Sequence, residues 1–167
     1  AAAVGRRLAE LLRQEHKTTI PVASDNIGPH QLVLGTPAAA PAADLEPEAY
    51  RLHVGPDGVQ LDAGSPTGLL WGAMTLRQLV QRNGRGLVVR GARIHDRPHY
   101  RWRGFQIDSG RAPNSIAQIK RIIRICSAFK LNFLLFREGD DELNAVRYRT
   151  VPLGSQNPYA LTRSEEH

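Results

Sequence analysis

Apolar residues recur along this chain in several rhythms, and each rhythm predicts a different element. Val4, Leu8, Leu11 and Leu12 fall at three- and four-residue steps, which predicts an amphipathic helix from about the first residue to His16. Ile20-Pro21-Val22 and Gln31-Leu32-Val33-Leu34 are short strand candidates flanking the turn-rich Ser24-Asp25-Asn26-Ile27-Gly28-Pro29. Thr36 to Pro47 reads as an Ala/Pro-rich surface loop. Tyr50, Leu52 and Val54 then alternate with Arg51 and His53, and after Gly55-Pro56-Asp57-Gly58 the alternation resumes at Val59, Leu61 and Ala63. That pattern predicts a hairpin. Ser65 and Pro66 supply an N-cap and a first-turn proline for a second helix, whose face carries Leu69, Ala73, Leu76 and Val80 and which is expected to run to about Arg82. Asn83-Gly84-Arg85-Gly86 ends it, and Leu87-Val88-Val89 leads into a strand ending near Ile94. Residues 1–95 are thus expected to form a small sheet with two helices on one face, an α+β arrangement.

His95-Asp96-Arg97-Pro98 links this region to a second one, residues 96–167. Tyr100 to Asp108 reads as an extended run ending in a carboxylate, and Ser109-Gly110-Arg111 turns toward a helix. Ser115-Ile116-Ala117-Gln118 fits a capping box, in which the Ser and Gln side chains satisfy orphan backbone N–H groups. Ile116, Ile119, Ile122, Ile123, Cys126 and Phe129 form one apolar stripe and leave Lys120, Arg121 and Arg124 to water. Leu131 to Phe136 follows as a nearly continuous apolar run, the pattern of a strand covered on both faces, and ends in Arg137-Glu138-Gly139-Asp140-Asp141. A strand-helix-strand crossover makes its two strands parallel, so Asp108 and Arg111 should meet Asp140 and Asp141 at one sheet edge. Parallel α/β folds build their sites at that edge.

At these residues the chain resembles glycoside hydrolase family 20, the β-N-acetylhexosaminidases. The resemblance is carried by Trp102-Arg103-Gly104, Asp108, Arg111, Lys130-Leu131-Asn132 and Asp140-Asp141, in order over about forty residues. Upstream, Tyr50 to Val54, Gly58 to Leu61 and Gly68 to Leu79 look like the small domain that precedes the family's barrel. The resemblance implies an accessory α+β domain over 1–95 and the first β-α-β portion of a (β/α)8 TIM barrel over 96–167. It implies removal of terminal β-linked N-acetylhexosamine from a glycan by substrate-assisted retention, in which the substrate's acetamido oxygen attacks the anomeric carbon. It places Arg111 on the sugar hydroxyls, with Asp108, Asp140 and Asp141 orienting groups that touch substrate. The family's catalytic Asp-Glu pair lies further along the barrel, so no catalytic residue is assigned within this chain. The family carries histidines after this arginine and at the end of the second strand, where this chain has Ala112-Pro113 and Leu135-Phe136-Arg137-Glu138. A binding protein without catalysis, or a related hydrolase such as an α-glucuronidase or O-GlcNAc hydrolase, is the alternative.

Composition narrows the remaining classes. With 167 residues and 41% hydrophobic content the chain can bury a core, and no stretch approaches the roughly 20 apolar residues of a membrane span. The formal charge of +6 would suit a polyanion, but arginine outnumbers lysine 19 to 3 throughout and no aromatic-interleaved basic strand accompanies it, so no nucleic-acid or membrane partner is expected. No metal or cofactor is expected either, because His95 and His99 flank Arg97-Pro98, where a helix is disfavoured, and the glycine-rich stretches lack a phosphate-loop ending. Cys126 sits on the apolar stripe and is expected to be a core residue, and Trp71 and Trp102 are expected to pack rather than stack on sugar. Thr162-Arg163-Ser164-Glu165 is a second capping box close to the last residue, so the sequence is expected to be the front of a longer enzyme, and this piece alone is expected to self-associate through exposed barrel edges unless further chain covers them.

Overall fold

Leu8, Leu11 and Leu12 each bury on the inward face of α1 (Ala2–His16), as their spacing requires. The helix starts without a side-chain cap and stops at Lys17, whose left-handed backbone (φ 55°) directs its N–H to the Arg13 carbonyl. The computed structural model describes residues 1–22, 31–35, 45–84 and 86–139, and the chain divides into two compact units, Ala1–His99 and Tyr100–His167.

In the first unit, β1 (Gln31–Gly35), β2 (Tyr50–Gly55), β3 (Gly58–Ala63) and β6 (Ala92–Asp96) form one sheet in the order β1-β3-β2-β6. The hairpin β2–β3 is antiparallel, with Gly58 at φ 138° supplying the turn conformation that an L side chain resists. Strand alternation sends Tyr50, Leu52, Val54, Leu61 and Ala63 inward against Leu8, Leu11 and Leu12 of α1 and Leu69, Ala73, Met74 and Leu76 of α2 (Pro66–Leu79). His53, Gln60, Arg93 and His95 remain exposed on the opposite face. The expected arrangement, two helices on one face of a small sheet, is therefore present. Ser65 caps α2 by accepting from the Thr67 and Gly68 amides at 3.1 and 3.3 Å. Gly72 lets α2 lie against the sheet, since a Cβ there would collide with Leu61 and Tyr50. The buried polar atoms are partnered: Tyr50 Oη meets Thr75 Oγ1 at 2.6 Å and donates to Asp96 Oδ2 at 2.8 Å, and the Trp71 indole donates to Glu48 at 2.7 Å.

Three expectations for this unit are corrected. Ile20-Pro21-Val22 is not a strand: Pro21 has no N–H to give a ladder, Val22 is exposed, and Ile20 packs on the core from irregular chain. The second helix stops at Leu79, not Arg82, because Val80 is extended (ψ 127°) and Gln81–Asn83 becomes β4, paired with β5 (Gly86–Val88). The single strand expected from Leu87 to Ile94 is two elements, since β5 pairs with β4 while β6 pairs with β2. The Ala/Pro-rich segment lies outside the described residues over 36–44.

In the second unit, β7 (Gly104–Asp108) and β8 (Phe133–Arg137) pair in parallel, joined by α3 (Ile116–Ala128). The capping box forms as expected: Ser115 Oγ accepts from the Gln118 amide at 3.3 Å, and Gln118 Oε1 accepts from the Ser115 amide at 2.7 Å. Lys130 adopts φ 58° just beyond the helix, and the Leu131 amide bonds to the Cys126 carbonyl at 2.9 Å. Cys126 is buried, as expected. Two expectations fail here. β8 is covered on one face only, with Phe133 and Leu135 exposed, because the described residues of this unit supply one partner strand and one helix, which give apolar cover on a single side. For the same reason the α3 stripe is only partly covered, with Ile123 and Phe129 exposed. The second capping box, Thr162 to Glu165, lies outside the described residues. Among the described residues, no helix is long and apolar enough to cross a membrane.

Candidate functional site at the strand ends

Parallel pairing in register places Gly104 beside Phe133 and, four residues later, Asp108 beside Arg137. Register partners share a face of the sheet, so the carboxylate and the guanidinium project together at its C-terminal edge. Arg137 Nη1 donates to Asp108 Oδ2 at 3.2 Å. The Ser109 amide bonds to the Arg137 carbonyl at 3.0 Å and carries the ladder one rung past Asp108. The turn that follows is fixed from within: Asn114 Nδ2 donates to Ser109 Oγ at 3.1 Å and to the Ala112 carbonyl at 2.9 Å, and Ser109 is buried.

Arg111 lies on that turn. Its backbone N–H donates to Asp108 Oδ1 at 3.3 Å, and its Nε stands 3.9 Å from Asp108 Oδ2. Its side chain is 71% exposed, against 27% for Asp108 and 42% for Arg137. The half-covered carboxylate therefore stands between two guanidiniums, one anchored on a strand and one facing solvent. An exposed guanidinium offers forked donors in a plane, a shape suited to two neighbouring oxygens such as vicinal sugar hydroxyls. Asp108 and Arg111, both named from the sequence, come together; Asp140 and Asp141 lie outside the described residues.

The remaining motif residues gather at the other end of the sheet. Asn132 accepts from the Arg103 amide at 3.0 Å and donates to the Arg101 carbonyl at 2.9 Å, while the Arg103 side chain donates to the Lys130 and Tyr100 carbonyls, each at 2.8 Å. Trp-Arg-Gly and Lys-Leu-Asn thus clamp the strand starts together and set the register that brings Asp108 to Arg137. Trp102 corrects an expectation: it is 71% exposed, with its ring edge-to-face on Phe133 at 5.9 Å and the Arg101 guanidinium 5.8 Å from its centroid. Trp71 is buried, as expected.

Arg137, Ser109 and Asn114 escape a reading of the sequence alone. Arg137 is visible as a strand-end charge, but its partner depends on register, which apolar periodicity leaves open between two unpatterned strands. Asn114, two residues past Ala112 and one before the helix cap, carries a turn signal of its own.

The first unit is thus an α+β layer and the second a parallel β-α-β unit with charges at its C-terminal edge, and comparison with known proteins gives the family. Residues 1–97 match the model for glycosyl hydrolase family 20, domain 2, and residues 100–157 match the model for the glycosyl hydrolase family 20 catalytic domain. The chain belongs to glycosyl hydrolase family 20. It is 42% identical over 103 residues to a beta-N-acetylhexosaminidase of Cellulomonas fimi, covering 61% of this chain and 20% of that protein. It is 33% identical over 132 residues to a beta-hexosaminidase of Akkermansia muciniphila, covering 78% and 24%. Among solved structures, a mutant Streptomyces plicatus beta-hexosaminidase in complex with product GlcNAc superposes with a TM-score of 0.70 at 33% identity, covering 86% of this chain and 29% of that one. A Vibrio harveyi exo beta-N-acetylglucosaminidase in complex with N-acetylglucosamine gives 0.82 at 26% identity, covering 93% and 23%. The chain thus spans between a fifth and a third of the length of these relatives.

Proposed function

We propose that this chain is part of an exo-acting β-N-acetylhexosaminidase. Residues 1–95 form its accessory α+β domain, and residues 96–167 open a (β/α)8 barrel whose strand ends hold the terminal N-acetylhexosamine. The observation that carries this reading is the convergence of Asp108, Arg111 and Arg137 at the C-terminal edge of two parallel strands, in a chain of this family. Arg111 binds ring hydroxyls through its fork, and Asp108 orients it by a charge-assisted contact. Asp140 and Asp141 lie outside the described residues, and the family resemblance assigns them to orienting groups around the sugar. The chemistry is substrate-assisted retention, with the acetamido carbonyl oxygen attacking the anomeric carbon while a carboxylic acid contributed from elsewhere in the barrel protonates the leaving oxygen. The GlcNAc complexes of the Streptomyces plicatus and Vibrio harveyi proteins support the choice of sugar.

The test is hydrolysis by the complete gene product that carries this sequence. It should cleave an aryl β-N-acetylglucosaminide and leave the aryl β-glucoside intact, because only the former holds the acetamido nucleophile. Equal rates on both would sink the substrate-assisted reading, and binding of N-acetylglucosamine without turnover would replace the enzyme with a sugar-binding protein.

A further inference from the structure

We infer that Arg137 is a positioning residue for sugar binding: it holds the Asp108 carboxylate in the orientation that aligns Arg111. This rests on the proposed role of Arg111, and it assigns to this chain's own strand end a task that neither Asp108 nor Arg111 performs alone.

Asp108 serves its two neighbours with different oxygens. Oδ1 takes the Arg111 backbone N–H at 3.3 Å, whereas Oδ2 takes Arg137 Nη1 at 3.2 Å and lies 3.9 Å from Arg111 Nε. The terminal torsion of a carboxylate is broad and roughly two-fold, so the bond to the backbone amide alone leaves the second oxygen free to swing. The bond from Arg137 fixes that torsion. Arg137 is itself well placed to act as the anchor, being the register partner of Asp108 with its carbonyl bonded to the Ser109 amide at 3.0 Å. Arg111 is the opposite case, a long side chain on a turn and 71% exposed. Order therefore passes from the strand through Arg137 to Asp108 and from Asp108 to Arg111. A sugar that meets a pre-aligned fork loses less to ordering on binding, so the effect belongs in ground-state affinity as well as in rate.

The experiment is a double-mutant cycle in the complete gene product, reading KM and kcat on an aryl β-N-acetylglucosaminide. Arg137→Gln should raise KM about tenfold with a smaller loss in kcat, and Arg137→Lys should recover part of it because an ammonium still reaches the carboxylate as a point charge. In an Arg111→Ala background, Arg137→Gln should change KM by less than about twofold, since the path it acts through is gone. Independent, multiplying effects of the two substitutions would overturn the inference, as would an unchanged KM in Arg137→Gln when Arg111→Ala raises it. A crystal structure of the Arg137→Gln protein gives a readout separate from activity: the Arg111 to Asp108 contact should be lost, and its persistence unchanged would overturn the inference. If the unaltered protein neither binds nor cleaves N-acetylglucosaminides, the proposed function falls, and that crystal structure still decides whether Arg137 sets the geometry of Arg111.

Discussion

Asp108 and Arg137 occupy the last common rung of the β7–β8 ladder and touch at 3.2 Å, so the carboxylate of one strand is held by the guanidinium of the next. The pair is partly exposed, and a partly exposed ion pair by itself adds little to stability. Its consequence is geometric. It fixes the carboxylate beside the turn that carries Arg111, while the Arg103 and Asn132 contacts at the far end of the same strands set the register that makes the meeting possible.

Replacing Arg111 with Ala should damage sugar handling and spare the fold. The side chain is largely exposed, so the change in stability should stay within about 0.5 kcal/mol, the usual range for surface positions. Loss of hydrogen bonds from a charged group costs about 1.5–3 kcal/mol, which corresponds to a fall in kcat/KM of roughly ten- to a hundredfold in the complete gene product. Steady-state kinetics on an aryl N-acetylglucosaminide with a parallel melting curve checks both halves. Unaltered kinetics would remove Arg111 from the site.

Local chemistry makes much of this legible in the sequence. The Ser115 box, the Ser65-Pro66 start and the alternation through Tyr50 to Ala63 each act within a few residues, and each element stands where those signals put it. What sequence does not supply is which strand lies next to which. Arg137 escapes notice because its partner is 29 residues away and is set by register, and Ile20 to Val22 misleads because its apolar residues serve a core without entering a ladder. Coverage is misjudged for a related reason: the apolar run in β8 reports what the strand can bury, while the described neighbours cover only one of its faces.

The capping box of α3 should matter measurably, because it joins the site turn to the helix. Ser115→Ala removes the acceptor of the Gln118 amide and leaves an orphan donor in the first turn, at a cost of about 1 kcal/mol. Ser115→Asp, which restores an acceptor, should recover most of it. Urea midpoints of the three proteins at constant slope provide the comparison, and equal midpoints for the unaltered chain and the Ser115→Ala variant would show that the cap carries no net stabilisation.

One acid-sensitive link joins the two helices of the first unit. Arg77 Nε donates to Glu15 Oε1 at 2.8 Å, and that hydrogen bond holds the Glu15 carboxyl below its ordinary value despite the opposing effect of burial. A carboxyl depressed in the folded state contributes stability that is present above its unfolded value and disappears as pH falls through the folded one. Glu15→Gln should therefore cost about 0.2–1 kcal/mol near neutral pH, a small figure because the Glu15 side chain is 37% exposed and screened. The gap should close on acidification below the ordinary carboxylate range. Denaturant midpoints followed from neutral to acid decide it, and a gap that stays constant with pH would assign the effect to packing.

The exposed apolar surface of the second unit makes the last prediction. Tyr100, Trp102, Phe129 and Phe133 stand open there at 69%, 71%, 74% and 46%, beside the half-covered β8. Apolar surface on this scale, next to a sheet that has two strands among the described residues, associates with whatever apolar surface is nearest. For the 167-residue chain alone that surface is a second copy, so light scattering after gel filtration should show mass rising with concentration. Phe129→Glu is the sharper probe. The ring is exposed and leaves the Phe129 amide bond to the Ile125 carbonyl in place, so the substitution should shift the chain toward monomer without unfolding α3. A chain that stays monomeric at every concentration, and is indifferent to Phe129→Glu, would mean that this surface is not sticky.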